Sequence, residues 1–566
     1  MDIDTVIGTP GTATHEVTNQ PSPLVDYDVA ADAALVAGLR EWGATWSEPE
    51  LHALGRLAGS AHVGEMARVV NEHPPVLRTH DRYGHRVDEV EFHPYWHQLM
   101  STAVAYGLHA APWSAAGPGV HTARAAKFFV WAQGETGHLC PISMTYAVVP
   151  ALRHNASLAA RYEPLLESAV YDFGLREPDT KQGLIAGMSM TEKQGGSDVR
   201  ANTTTARQNP DGTWSIVGHK WFTSAPMSDV FLVLAQAPGG LSCFFVPRVL
   251  PGGARNSIRL MRLKDKLGNR SNASAEVEYD DTRGWLVGEE GHGVRTIMEM
   301  VNNTRLDAMI ASAAGMRWGA VQAVHHASHR RAFGALLSDQ PLMRNVLADL
   351  VVESEAATLV SLRLAAATDG AASGDEAEGA FRRMGLPVAK YWLCKRAPVH
   401  AAEALECLGG NGYVEESQMP RLYREAPVNS IWEGSGNVAA LDALRAMVTR
   451  SESLEAFIDE VRRGAGADAR LDLAIESLVK ELARSGADAA AGGDLAFGAR
   501  RLVESMVLVL QGSLLVRLGN PAVADAFCAS RLERDWGGAF GTLRRGVDAA
   551  AIMGLARPAT VAPSIA

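Results

Sequence analysis

The chain has 566 residues, of which 47% are hydrophobic and 21% are charged, and its formal net charge is −11. This composition is typical of a globular protein, and the length exceeds one ordinary core, so two to four domains or layers are expected. The negative charge gives no overall attraction to phosphates, so nucleic-acid binding would need a local basic patch.

Targeting and cysteine signals favour a cytoplasmic protein. The five cysteines are scattered, odd in number and without a CxxC pair, which argues against a disulfide framework or a zinc ribbon. The first residues are acidic and lack the apolar region of a signal peptide. No apolar run approaches the ~18–20 residues of a membrane span. We therefore expect a soluble, cytoplasmic protein with no membrane partner.

The first half of the chain changes its hydrophobic period once. Residues 1–25 are a polar entry segment with three prolines, and residues from about 30 to 185 show helical spacing. Within 186–285, alternating runs flank Asp211-Gly212, which is a strong hairpin signal. DVFLVLAQ, LSCFFVP and SAEVEYDD predict further short strands.

From Gly293 the helical period returns. The pattern predicts one helix of up to about ten turns, followed by two more long helices, of which the second ends near Gly409-Gly410. A fourth helix is predicted over NVAALDALRAMV, and polar loops separate the four. An Ala-rich helical tail follows to about residue 550. This order lacks βαβ alternation. It predicts a mostly helical α+β fold with a helical domain over 1–185, a β domain over 186–285, a helical bundle over 286–450 and an extra tail over 451–566.

One carboxylate stands out because of its setting. Glu433 lies between Trp432 and Gly434, just before a helical run, and the following GSGNVA matches GxGxxA. A dinucleotide-binding Rossmann unit is unlikely because no βαβ pattern surrounds this motif. Two alternatives remain: glycines that expose N–H groups to a phosphate or oxyanion, or an ordinary loop capped by Ser435 or Asn437.

Two other stretches could bind a polar, flat ligand. MTEKQGGSDV (190–199) offers hydroxyls and backbone N–H groups, and VGHKWFTSAP (217–226) places aromatics beside hydroxyls at the end of a strand. Their simpler interpretations are a connecting loop and core packing. His325 and His329 have i, i+4 spacing, but no HExxH motif or nearby acid completes a metal site, so none is predicted.

Taken together and in this order, six motifs identify a family. They are MTEKQGGSD, GHKWFTS, KDKLGNRSNASAEVEYDD, RRAFGALLSDQPLMRNVLADL, LGGNGY and YREAPVNSIWEGSGN. The set resembles the flavin-dependent acyl-CoA dehydrogenases, strongly over 185–450. The N-terminal part, with FHPYWHQLM and LCPISMTYA, and the tail resemble the AidB-type branch of that family, which is linked to the adaptive response to alkylation.

This resemblance implies a helical domain, a β-barrel-like domain and a four-helix bundle, FAD as cofactor, an acyl-CoA substrate and a homotetramer built as a dimer of dimers. It implies that Glu433 is the catalytic base that removes the α-proton of an acyl thioester, after which a hydride passes to flavin N5. Burial would raise the pKa of such a base. The implied FAD contacts are Met190, Thr191, Ser197, Phe222, Thr223, Ser224, Arg331, Gln340, Gly409, Gly410, Trp432, Gly434, Ser435 and Asn437.

The AidB-type branch is also linked to weak dehydrogenase activity and to double-stranded DNA binding through the tail. Residues 451–566 carry 13 Arg and Lys against 15 Asp and Glu, so a basic tail is not evident, although several arginines are adjacent. Three interpretations follow: a weak AidB-like dehydrogenase of the alkylation response, an ordinary catabolic short- or branched-chain acyl-CoA dehydrogenase without DNA binding, or a non-catalytic DNA-binding protein that keeps FAD as structure.

Overall fold

The computed structural model describes residues 14–490 and 493–558, so residues 1–13 of the entry segment, residues 491–492 and residues 559–566 lie outside the described part. The N-terminal region is mainly helical. Its helices are α1 (Ala33–Glu41), α2 (Glu48–Ala58), α3 (Ala61–Glu72), α4 (Pro94–Ala105), α5 (Val120–Ala132), α6 (Leu139–Leu152) and α7 (Ala156–Leu166).

The N-terminal region also contains a strand pair, so the expectation of helices throughout is wrong there. Strands β1 (Val76–His80) and β2 (Arg86–Glu91) pair antiparallel. Their alternating side chains are largely exposed, and only Asp88 and Val90 are buried in β2. A strand that buries so little lacks the strong apolar alternation by which strands are recognised in a sequence.

A seven-stranded sheet occupies the middle of the chain. Its strands are β3 (Ala186–Ser189), β4 (Thr205–Gln208), β5 (Trp214–Ser224), β6 (Val230–Ala237), β7 (Gly240–Pro247), β8 (Ile258–Leu263) and β9 (Ser274–Val287). The predicted hairpin is confirmed: β4 and β5 pair antiparallel around Gly212, whose φ of 83° suits glycine. Additional β3–β6 and β5–β9 pairings curl the sheet into a barrel-like body.

Three long helices form the frame of the C-terminal bundle. They are α8 (Gly293–His329), α9 (Pro341–Ala372) and α10 (Glu376–Glu406), joined after α8 by the short strands β10 (Arg331–Ala332) and β11 (Ala335–Leu336). The predicted ten-turn helix is confirmed, because α8 has 37 residues. The third helix ends at Glu406, and Gly409 follows with a left-handed φ of 58°.

Two shorter helices complete the bundle: α11 (Met419–Asn429) and α12 (Gly436–Thr449). The polar loop expected before α12 is therefore largely helix α11. Pro420 and Pro427 weaken its helical signal in the sequence, yet Met419, Pro420 and Ala426 are buried against the bundle.

The tail is helical and packs on the bundle. Its helices are α13 (Ser451–Arg462), α14 (Ala469–Ala490), α15 (Ala499–Leu518), α16 (Pro521–Phe527) and α17 (Ala549–Gly554). Phe457 of α13 and Leu510 of α15 are buried in the same core cluster as the bundle residues Leu359 and Leu393. Among the described residues, no helix is both long and apolar enough to cross a membrane. The predicted fold class is confirmed.

Candidate active site

A cavity of about 700 Å³ lies where the barrel, α5–α6 and the bundle meet. It follows one face of α8 from Val294 to Trp318, which is about 36 Å of helix at 1.5 Å per residue. We call one end the barrel lobe; it is lined by Met188, Met190, Ser224, Val294 and Ile297. We call the other end the distal lobe; it is lined by Ala132, Ala311, Gly315, Ala401 and Leu422.

Glu433 lines this cavity from the turn between α11 and α12. Its φ is 57°, a left-handed value that is uncommon for a residue with a side chain. Gly434 follows with φ 97°, and a Cβ there would lie 3.1 Å from Val438 Cγ1 and 3.3 Å from Arg305 Nη2. Strained backbone of this kind persists only where its surroundings fix it, and it is often found at functional sites.

The surroundings that fix the turn come from α8 and α10. Thr304 Oγ1 donates to Glu433 Oε2 at 2.7 Å, and Arg305 Nε donates to the Glu433 carbonyl at 2.9 Å. Lys390 Nζ donates to the Trp432 carbonyl at 2.8 Å and also to the carbonyl of Gly434. Three side chains from two helices therefore hold the carboxylate and both neighbouring peptide groups.

Arg305, which bonds to the Glu433 carbonyl, is itself held by a buried acidic residue. Asp442 of α12 accepts from Arg305 Nη1 at 2.6 Å and from Arg383 Nη2 at 2.8 Å. Burial raises the pKa of Glu433 above its ordinary value, while the Thr304 hydroxyl and the charges of Lys390 and Arg305 oppose that rise. A carboxyl group with a raised pKa is a better proton acceptor when ionised.

Most of the predicted FAD contacts come together around the barrel lobe and Glu433. The cavity-lining members are Met190, Thr191, Ser197, Phe222, Ser224, Trp432, Gly434 and Ser435. Thr223 is not among them, because alternate residues of β5 face opposite ways and its hydroxyl bonds to Ser189 in the sheet. Ser435 occupies the N-cap position of α12, but its side chain makes no capping hydrogen bond. Asn437 faces the tail, where its Oδ1 accepts from Arg500 Nε at 2.8 Å.

The remaining four predicted contacts lie away from this cavity. Arg331 begins β10, Gln340 precedes α9, and Gly409 and Gly410 follow α10; none of them lines the cavity. The entry segment connects these regions. Asn19 Nδ2 donates to the Arg331 carbonyl at 3.0 Å, and the side chains of Gln20 and Asn411 are bonded at 2.9 Å.

The barrel lobe fits a flat heteroaromatic group such as a flavin. Apolar Met188 and Ile297 accompany the hydroxyls of Thr191 and Ser224, and Trp432 Nε1 is buried without a hydrogen-bond partner in the described chain. At Gly196 an added Cβ would lie 2.4 Å from Thr191 Oγ1, so the backbone of this loop packs closely against the Thr191 side chain. An apolar pocket with a few placed polar groups is typical of cofactor sites.

Sequence reasoning missed the residues that hold Glu433. Thr304, Arg305 and Lys390 lie inside long helices, where a polar residue gives no local signal of its partner. The two helix-face histidines have other contacts: His325 Nε2 lies 2.9 Å from the Ser22 carbonyl and His329 Nδ1 lies 2.8 Å from the His325 carbonyl. The described residues contain no group of three or more His, Cys, Asp or Glu side chains that could hold a metal ion.

Three family models match consecutive parts of the chain. The adaptive response protein AidB N-terminal domain matches residues 19–173, the acyl-CoA dehydrogenase middle domain matches 187–282, and the acyl-CoA dehydrogenase C-terminal domain matches 291–448.

Relatives match over most of their length. The AidB protein of Escherichia coli (strain K12) is 44% identical over 526 residues, which covers 92% of this chain and 95% of that protein. Acyl-CoA dehydrogenase family member 11 of Caenorhabditis elegans is 31% identical over 483 residues, covering 80% of this chain and 77% of that protein.

Solved structures show the same architecture. The Caenorhabditis elegans ACDH-11 complex with C11-CoA superposes with a TM-score of 0.84 at 27% identity, covering 94% of this chain and 95% of that one. The acyl-CoA dehydrogenase of Bacillus anthracis complexed with FAD has a TM-score of 0.63 at 17% identity, covering 89% and 93%, and so shares the fold. The chain therefore belongs to the FAD-dependent acyl-CoA dehydrogenase family, in its AidB branch.

Proposed function

We propose that this flavoprotein dehydrogenates an acyl-CoA thioester with Glu433 as the base, and that it serves the alkylation response. The observation that carries the proposal is the carboxylate of Glu433. It lies half-buried where the barrel lobe meets the distal lobe, accepts a hydrogen bond from Thr304, and has a raised pKa.

The proposed chemistry divides into two bond cleavages. Glu433 takes the proton from the carbon next to the thioester, and its O–H bond forms as that C–H bond breaks. FAD, when bound, supplies the acceptor for the hydride that leaves the β-carbon. The N–H of Glu433 meets no acceptor in the described chain, so it is available to the thioester oxygen as negative charge develops there.

We further propose that saturated, unsubstituted acyl chains are poor substrates. Arg421 and Glu425 line the distal lobe beside apolar residues such as Leu422. Buried charged groups lose hydration without gaining a partner from a hydrocarbon chain. On this proposal, the weak activity that the family resemblance implies does not require a defective base. Arg424, three residues on, does not block Glu433, because both its Nη atoms bond to Glu415, at 2.6 and 3.0 Å.

Replacing Glu433 with Gln tests the base directly. We expect the variant to keep FAD but to lose flavin bleaching by acyl-CoA by about 10³-fold or more, because the amide cannot accept the proton. The measurement is anaerobic absorbance of the flavin band during titration. Exposed Glu416→Gln is the control and should bleach like the parent. Equal bleaching by both variants would refute the role of Glu433.

DNA binding is a second proposal, with support from a small set of tail cations. Many tail arginines are engaged: Arg531 is buried against Asp349 and Glu353, and Arg470 pairs with Asp468 and Asp525. The exposed arginines without an ion pair in the described tail are Arg462, Arg484, Arg500, Arg534, Arg545 and Arg557, and of these Arg500 bonds to the neutral side chain of Asn437. We propose that double-stranded DNA is contacted through this reduced set.

The DNA proposal predicts weak, salt-sensitive binding. Affinity for duplex DNA should fall linearly with log salt, and Arg534→Glu with Arg545→Glu should reduce both the affinity and the slope. Fluorescence anisotropy at two salt concentrations measures this, with the exposed pair Lys193→Glu and Arg207→Glu in the barrel region as a charge-matched control. If the parent does not bind at low salt, the alternative of a catabolic dehydrogenase without DNA binding is favoured.

We also propose a homotetramer in the cytoplasm. Phe333, Leu342 and Tyr413 are 100%, 84% and 83% exposed, and they lie beside Arg331, Gln340 and Gly409-Gly410. Exposed apolar residues of this size mark interaction surfaces. A partner subunit on this surface would account for predicted FAD contacts that lie away from the cavity. The five cysteines are free, as expected of a reducing compartment.

A further inference from the structure

The distal lobe extends well beyond the base. Ala311, Gly315 and Trp318 are partly exposed although their neighbours Ala314 and Met316 are buried, so their exposed surface faces the cavity. From Thr304 to Gly315 the helix rises about 16 Å. The lobe therefore has room for many carbons of an acyl chain beyond the reacting pair.

One wall of the distal lobe carries a guanidinium with unused hydrogen-bonding capacity. Arg421 Nη2 donates to the Gly134 carbonyl at 3.1 Å and to Gln418 Oε1 at 2.8 Å, while its Nε is buried without an acceptor. Within the described residues Arg421 forms no ion pair, in contrast to buried Arg305 and Arg363, which hold carboxylates.

The acidic side chains near Arg421 already accept hydrogen bonds from other residues. Glu425 accepts from the Asn269 N–H at 2.6 Å and from Thr136 Oγ1 at 3.0 Å. Glu135 accepts from His138 Nδ1 at 2.7 Å and from Ser271 Oγ at 2.7 Å. Arginine stays protonated even where burial disfavours its charge, so Arg421 presents a cation to the lobe.

A second donor lies beside Arg421. Gln133 precedes Gly134, whose carbonyl Arg421 holds, and it also lines the cavity. It is 6% exposed, and its Nε2 has no acceptor in the described chain. Buried donors are normally paired, so two neighbouring unpaired donors indicate a missing acceptor.

We propose that the acyl group of the substrate carries an oxygen acceptor, a carboxylate or hydroxyl, on carbons distal to the thioester, and that Arg421 and Gln133 bind it. This inference rests on the proposed function, because it assumes that the reacting carbons lie at Glu433. A plain alkyl chain offers these donors nothing, whereas an oxygen satisfies both and fixes the chain along α8.

Binding to a holoenzyme that cannot turn over tests the inference apart from catalysis. In Glu433→Gln, dissociation constants are measured from flavin absorbance for acyl-CoAs of about six to twelve carbons, chosen from the length of the lobe. At each length the ω-methyl, ω-hydroxy and ω-carboxy forms are compared. We expect at least one oxygenated form to bind about tenfold tighter or more than its alkyl counterpart.

Two further variants test whether Arg421 and Gln133 cause the preference for oxygenated acyl chains. Arg421→Met should abolish the preference for oxygenated chains while the affinity for alkyl-CoAs is kept or improved. Gln133→Leu should reduce the same preference. Arg424→Met, on the same helix but paired with Glu415, should retain it. The inference is overturned if alkyl forms bind as tightly as oxygenated forms at every length, or if Arg424→Met acts like Arg421→Met. Flavin bleaching of the parent by alkyl-CoA with no such preference would leave the proposed role of Glu433 as base standing, and would remove this inference together with the proposed weakness toward unsubstituted chains.

Discussion

At the scale of single residues, the catalytic proposal depends on how one carboxylate is held. Glu433 has a left-handed backbone, and its side chain is bonded by one neutral donor, Thr304. The two nearby cations, Arg305 and Lys390, bond to backbone carbonyls instead of to the carboxylate. The base therefore keeps its raised pKa, because a direct ion pair would have lowered it strongly.

The pH dependence of flavin reduction follows from this arrangement. Only the ionised carboxylate accepts a proton, so the rate should rise as pH increases through the raised pKa of Glu433. Thr304→Val removes a donor that favours the ionised form, so the rise should move to higher pH. Stopped-flow reduction across pH measures both profiles.

A matched substitution separates this effect from helix damage. Thr296→Val on the same helix is buried but does not line the cavity, and it should leave the profile in place. A profile that moves to lower pH in Thr304→Val would contradict the role assigned to that hydroxyl.

At the scale of elements, helices α8, α10 and α12 together support the turn that carries Glu433. Arg305 of α8 and Arg383 of α10 both bind Asp442 of α12, and Arg305 continues to the Glu433 carbonyl. The N-terminal half of α12 is thus fixed to two long helices through one buried acid. Its orientation does not depend on a capping hydrogen bond from Ser435, which makes none.

Asp442→Ala should therefore destabilise the bundle. The substitution leaves the guanidinium of Arg305 buried without its carboxylate, at a cost of about 3–5 kcal/mol. Urea unfolding followed by circular dichroism measures the loss. Exposed Asp459→Ala on α13 should change stability by no more than about 0.5 kcal/mol. Equal effects of the two variants would show that the Asp442 pairs add nothing.

At the scale of the whole molecule, the tail belongs to the bundle. Arg531 is buried against two acids of α9, and Arg363 of α9 pairs with Glu460 of α13. Asn345 of α9 bonds to Leu543 through both its side-chain donor and its acceptor. The tail consequently covers bundle surface that would otherwise be exposed.

Truncation after residue 450 should abolish soluble folding instead of yielding a free dehydrogenase. It exposes the apolar faces of α9 and α10 and leaves buried Asp349 and Glu353 without Arg531. Soluble expression and limited proteolysis of the truncated chain measure this. A truncated chain that remains folded and binds FAD would show that the tail is an independent appendage.

The sequence by itself determined the helical, β, helical order and indicated Glu433 as the candidate base. Hydrophobic period is local, so α8 and the β4–β5 hairpin could be predicted, and six motifs identified the family and Glu433. Only the tertiary structure decided what holds that base, because Thr304 lies 129 residues from Glu433. The same reason applies to the tail, where Arg531 bonds to Asp349, which is 182 residues away in the sequence. Contacts across such separations depend on how helices pack, which no local pattern encodes.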